Sequence, residues 1–159
     1  MMWIREIGHL LLILVLQVLL FNHMHIAIWG FPMVYILFLI NLSPRLPKWA
    51  ELFIGIIMDI WYSSLGIHMA ACVTIAFVRP LLLANMVQDI ERIKDNVKGI
   101  TIGTLEYAKI VVILTIIHHF IVFALEAWNW SQWWIILLQT LISSAMTIII
   151  LLGYDRLKQ

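Results

Sequence analysis

No charged side chain interrupts the chain between Glu6 and Arg45. A helical run of that length, at ~1.5 Å per residue, crosses a bilayer core of ~30 Å twice and leaves room for a turn. A soluble chain of 159 residues has too little interior to hide it. The whole sequence departs in the same direction, with 64% hydrophobic and 12% charged residues, against about 45–50% and about 25% in soluble domains. A soluble enzyme, a nucleic-acid binder and a secreted disulfide scaffold are excluded on these grounds. The formal charge of +1 supplies no clustered basic surface, so no nucleic-acid partner is expected. A single cysteine, Cys72, permits neither an intrachain disulfide nor a cysteine-based metal cluster. Arg5 before the Leu-rich run resembles a signal peptide, but no small-x-small cleavage site follows. The run is read as an uncleaved first span.

Six apolar segments follow along the chain: Ile7–Phe21, Ile26–Leu42, Trp49–Leu65, Ile67–Val87, Lys109–Leu125 and Gln132–Tyr154. The expected architecture is all-α, a polytopic membrane bundle of about six helices forming one domain over 1–159. Several segments are near the short end of the ~17–25 residues of a span, so five helices with one re-entrant segment is the alternative. Charge sets the orientation. Of the ten Lys and Arg, Arg5, Arg45, Lys48, Arg92, Lys94, Lys98, Lys109, Arg156 and Lys158 fall at alternate ends of the segments. The turns at Asn22–His25, Ser64–Gly66 and Glu126–Ser131 carry none. Both termini and the basic loops are therefore expected in the cytoplasm, and an even number of spans is favoured. Trp128, Trp130, Trp133 and Trp134 crowd one outer turn. There they read chiefly as headgroup anchors, with a docking surface for an external domain as the sharper reading; Trp3 and Trp49 suit the opposite interface.

Ionisable residues inside spans are costly unless paired, so each is informative. Glu51, Gly55, Asp59, Ser63 and Gly66 share one stripe of the third segment; His68, Cys72, Ala76 and Arg79 form a matching stripe on the fourth. A short turn between them implies an antiparallel hairpin, and the two glycines permit close approach. Equal counting outward from the turn puts Arg79 opposite Glu51 or Leu52, and Asp59 opposite Cys72, one turn from His68. Glu51 with Arg79 is the preferred pair, with Asp59 bonding toward His68 or another helix. An Asp59–Arg79 bridge requires a ~10 Å difference in depth to be closed. Pro80 cannot donate to the carbonyl of Ala76 and frees an acceptor there. The simplest role for this set is interhelical glue. A proton or ion path needs a polar file across the membrane, and Gln17 and Gln139 add little to one.

His118 and His119 are adjacent and point ~100° apart, so they do not hold one metal in the i, i+4 manner. Glu126 shares a face with His119 but lies ~10 Å along the axis. Helix packing, or a partner contact near the outer surface, is expected of all three. No HExxH, GxGxxG, P-loop or Ser-His-acid grouping is present, and no catalytic or cofactor-binding residue is assigned. The stretch Gln88–Ala108 mixes acidic and basic residues. It reads as a solvated connector meeting anionic headgroups, or as a contact for a cytoplasmic protein.

Leu46-Pro47-Lys48-Trp49, Gly55-x-x-x-Asp59, Gly66-Ile67-His68-Met69-Ala70-Ala71 and Phe77-x-Arg79-Pro80 occur in this order. Together the chain resembles the rod shape-determining protein MreD family; His118-His119 followed by Phe123-x-x-Glu126 is similar to one branch of it. Residues before about 40 and the last span match in hydropathy alone. The resemblance implies a non-enzymatic bacterial inner-membrane component of the cell-elongation machinery, acting in cell shape and peptidoglycan synthesis. Its implied partners are MreC, a single-span protein with a periplasmic domain, and through it MreB, the polymerase RodA and its transpeptidase. The family is also similar in fold to the substrate-binding subunits of energy-coupling-factor vitamin transporters. A small-molecule-binding transporter subunit is therefore the alternative reading. That role calls for a polar, aromatic pocket open to the outside.

Overall fold

The computed structural model describes residues 2–19, 30–41, 49–86, 103–128 and 130–158. Their regular structure is helical, without strands: α1 (Met2–Leu19), α2 (Ile36–Asn41), α3 (Trp49–Tyr62), α4 (Ile67–Met86), α5 (Thr104–Ala127) and α6 (Trp133–Lys158), with a 3-10 turn at Trp130–Gln132 before α6. The membrane helix bundle expected from hydropathy is what the chain forms. α4, α5 and the Trp133–Tyr154 part of α6 are long and apolar enough to cross a membrane. α3 has 14 residues, a length of ~21 Å that falls short of a bilayer core.

The expected segments coincide with helices except the second. α5 begins at Thr104, so Glu106 and Lys109 lie within its first turns rather than in a loop. α3 stops where Ser63 turns left-handed at φ 53° and Gly66 reaches φ 87°. A side chain at Gly66 would strain that conformation, and the turn delivers α4 antiparallel to α3. α4 continues through Pro80, which faces outward from the bundle.

The 26–42 segment is not one helix. Of its described part, Gly30–Tyr35 is irregular backbone and only the six residues of α2 are helical. Pro32 explains the interruption, since it fixes its own φ, disfavours helix at Phe31 and donates no hydrogen bond. The segment is nevertheless the centre of the core: Met33, Tyr35, Ile36, Leu39 and Ile40 are all fully buried. Non-helical backbone is tolerated at membrane depth only when protein satisfies it. Side chains from α1 and α6 do so. Phe31 N–H donates to Ser143 Oγ (3.2 Å) and Met33 N–H to Thr147 Oγ1 (3.1 Å). Val34 and Tyr35 N–H both donate to Gln17 Oε1 (2.5 and 3.4 Å), while Gln17 Nε2 donates to the Pro32 carbonyl (2.9 Å).

Around this irregular insert the helices pack in succession, α3 on α4, α4 on α5 and α5 on α6, with α2 against α4 and α5. The Phe31 ring lies 6.4 Å from Tyr62 and 5.7 Å from Phe123. The C-terminal ends of α3 and α5 thus meet the insert at one end of the bundle. Arg45, Leu46-Pro47-Lys48, Arg92, Lys94, Lys98 and Asn22–His25 lie outside the described residues, and so does most of the 88–108 connector.

Candidate functional site

Of the polar residues singled out in the third and fourth segments, Glu51, Asp59, His68 and Arg79 are buried. α3 can touch α4 closely because Gly55 has no side chain: a Cβ there would stand 2.5 Å from Met69 Cα and 2.9 Å from Met69 N. Backbone cannot yield as a side-chain tip does, so any larger residue would push the two helices apart.

At one end of this hairpin, Arg79 Nη2 pairs with Glu51 Oε1 at 2.8 Å, and Nη1 donates to the Leu39 carbonyl. Glu51 occupies the first turn of α3, where a negative charge complements the free amides. Leu39 lies in the last turn of α2, where carbonyls have no helical partner. One guanidinium therefore closes the end of α2 and bridges to the start of α3 from α4. Close by in the fold, Tyr107 of α5 donates to Asn41 Oδ1 at 3.2 Å and ties α5 to the end of α2.

At the other end, Asp59 is an N-cap for the helix that follows its own. Oδ1 accepts the His68 N–H and Oδ2 the Met69 N–H, both at 2.9 Å, and Oδ1 also accepts the Ser64 hydroxyl at 2.6 Å. The expectation that Asp59 would bond toward His68 is met through main-chain amides rather than the imidazole. It does not bridge to Arg79. The Asp59 carboxylate thus satisfies free amides at the start of α4, while Glu51 places its charge in the first turn of α3 and pairs it with Arg79.

The histidines meet on a residue that the sequence reading did not select. Tyr35, in the irregular insert, places its hydroxyl 3.0 Å from His68 Nδ1 and 2.8 Å from His118 Nε2. His68 also lies against the Tyr62 ring, 4.9 Å between centroids, and Tyr62 accepts from Gln17 Nε2 at 3.3 Å. His119 Nδ1 donates to the Thr115 carbonyl at 2.9 Å. This leaves Nε2 to face Thr147 Oγ1 at 3.2 Å, the hydroxyl that also holds the insert through Met33. His118 and His119 are fully buried, so neither reaches the outer surface for a partner contact, and they belong to the helix-packing reading. Among the described residues no three His, Cys, Asp or Glu are placed to hold a metal.

Glu126 stands apart from this framework, exposed at the C-terminal end of α5. It borders a cleft of about 370 Å³ formed with Gln132 and Gln139 of the α5–α6 turn and α6, the rings of Phe31 and Phe123, and Ile136. Pro80 and Gly66 serve the backbone rather than the site. Gln17, Tyr35, Ser143 and Thr147 are the framework residues that sequence reasoning missed or discounted. The signals were available: Gly30 and Pro32 break an apolar run, and Ser143 and Thr147, four apart, form a polar face on an apolar helix. Comparisons of the chain with protein-family models, curated proteins and solved structures find no match.

Proposed function

We propose that this protein is a non-enzymatic membrane scaffold of a bacterial cell-elongation complex. In this reading it sits in the inner membrane with both termini cytoplasmic and binds an MreC-like single-span protein. RodA, its transpeptidase and MreB would follow as members of the same assembly, and bilayer lipid as the surrounding partner. One observation carries the reading. Glu51, Asp59, Arg79, His68, His118 and His119 all engage partners inside the chain. Apart from Asn85 near the end of α4, what the bundle leaves exposed on α3 and α4 is apolar, including Phe53, Ile57, Ile60, Trp61, Phe77 and Leu81. The buried polar groups of α3, α4 and α5 used for internal fixation, under outward apolar faces of α3 and α4, suit a body that orients other membrane helices. The ordered motifs from Leu46 to Pro80 support the particular family.

Affinity purification of the full chain from mild detergent, followed by mass spectrometry, tests this. A scaffold retains a bitopic partner with a large external domain. Recovery of paired cytoplasmic ATPases instead, in the absence of such a partner, would sink the scaffold in favour of the transporter subunit.

A further inference from the structure

We propose that the cleft at the α5–α6 end binds an ammonium group carried on a short apolar body, through the Glu126 carboxylate. The assignment concerns ligand binding and holds whichever proteins the chain assembles with.

Charge is the first ground. Glu126 is the only Asp, Glu, Lys or Arg between Lys109 and Asp155, and no Lys or Arg occurs in 63–66 or 126–132. Among the described residues Glu126 has no cationic partner. The C-terminal carbonyls of α5 and the N-terminal amides of α6 bring opposite partial charges to the same end, so the carboxylate sets the sign. Apolar walls beside it lower the local dielectric and strengthen the attraction for a cation.

Donor and acceptor chemistry is the second ground. An ammonium has three N–H donors and no acceptor. The cleft offers three side chains with acceptor oxygens, Glu126, Gln132 and Gln139. The third ground is shape. Phe31 and Phe123 meet edge to face at 5.7 Å. With the buried Ile136 they supply apolar lining beside the polar groups. A volume of about 370 Å³ is at the small end of ligand sites, which run from about 300 to 1,000 Å³. The head-and-body pattern fits either a soluble aryl- or alkylamine or the ethanolamine headgroup of a phospholipid.

The test uses the full chain in dodecylmaltoside, with 2-phenylethylamine as probe and 3-phenylpropionate as its anionic counterpart. Trp128, Trp133 and Trp134 are exposed and are sequence neighbours of the cleft residues Ala127, Gln132 and Ile135, so tryptophan emission reports occupancy. The amine should give a saturable change and the acid none. Glu126→Gln, which keeps shape and removes charge, should weaken binding at least about tenfold, the scale of a charge-assisted hydrogen bond. Gln139→Phe, which fills the cleft, should abolish it while leaving the helical circular dichroism intact. Repeating the titration in nanodiscs separates the sources. Weaker apparent amine binding in phosphatidylethanolamine than in phosphatidylcholine, which is equally neutral but whose quaternary ammonium has no N–H donor, identifies the lipid headgroup as ligand, and equal binding identifies a soluble amine. The proposal is overturned by no saturable amine response in detergent, by equal responses to amine and acid, or by Glu126→Gln affinity equal to wild type.

Discussion

Three side chains concentrate the energetic risk of the fold. Arg79, Glu51 and Asp59 are almost fully buried, and an unpaired charge at such a position costs several kcal/mol. Each is stable where it is because it meets both a partner and a helix terminus. Replacing Arg79 alone with Leu leaves Glu51 uncompensated, and replacing Glu51 alone strands the guanidinium. Each single variant should lose about 3–5 kcal/mol, seen as a lower thermal midpoint in detergent. The double variant Glu51→Leu/Arg79→Leu should lose markedly less than the sum. Additive losses would mean that the two act independently. Asp59 differs because its partners are amides. Asp59→Ala exposes two buried donors and should cost about 2 kcal/mol or more, whereas Asp59→Asn keeps one acceptor and should cost about half that. Equal midpoints for the two variants would refute the cap. The Glu51–Arg79 pair was legible by counting from the turn, because antiparallel helices at ~1.5 Å per residue stay in register. The cap was not. Counting assumes that both helices run to the turn, whereas α3 stops at Tyr62 and lets Asp59 reach across to the first amides of α4.

Among the elements, the insert from Gly30 to Tyr35 shows where periodicity loses its power. A short apolar run reads alike as helix or as buried extended chain, because both are surrounded by apolar partners. The difference lies in who satisfies the backbone. Within a helix the chain does so itself; here Gln17, Ser143 and Thr147 take over. Gln17 is the most heavily committed, since its one amide serves the carbonyl of Pro32 and the amides of Val34 and Tyr35. Gln17→Leu keeps the bulk and removes these three bonds together with the one to Tyr62. Hydrogen exchange at Val34 and Tyr35 should then accelerate by at least about tenfold, the factor for ~1.4 kcal/mol of lost local stability. Exchange at His68 and Met69, held by Asp59, should stay unchanged. Uniform acceleration over the chain would indicate global loosening and refute a local tie. Thr147 connects this insert to His119, and Tyr35 connects it to His68 and His118. The histidines were visible in the sequence, but Tyr35, the common partner of His68 and His118, was concealed inside a segment read as an ordinary span.

For the whole molecule, the absence of charge between Glu6 and Arg45 said membrane, while the placement of the remaining charges says which way round. α5 and α6 are each long enough to cross, at ~36 and ~39 Å. They run antiparallel, so Leu105 and Arg156 belong to one side of the bilayer and Ser131 to the other. In the proposed reading, the positive-inside bias puts Leu105 and Arg156 on the cytoplasmic side. The native cysteine makes this measurable without altering the background, because Cys72 is fully buried and inaccessible to a membrane-impermeant maleimide. Leu105, Ser131 and Arg156 are exposed positions. In right-side-out vesicles Ser131→Cys should label at once. Leu105→Cys and Arg156→Cys should label only after the membrane is opened. A reversed pattern would place the termini outside. Equal labelling at Ser131→Cys and Arg156→Cys would mean that α6 does not cross, and the even count of spans would fall with it. The same two ends differ in chemistry as well as in side. Glu51, Arg79 and the end of α2 form a closed polar joint toward the Leu105 side, whereas Glu126 opens into the cleft on the Ser131 side. Labelling therefore also decides which compartment the cleft can sample, and so whether an ammonium ligand must arrive from outside the cell.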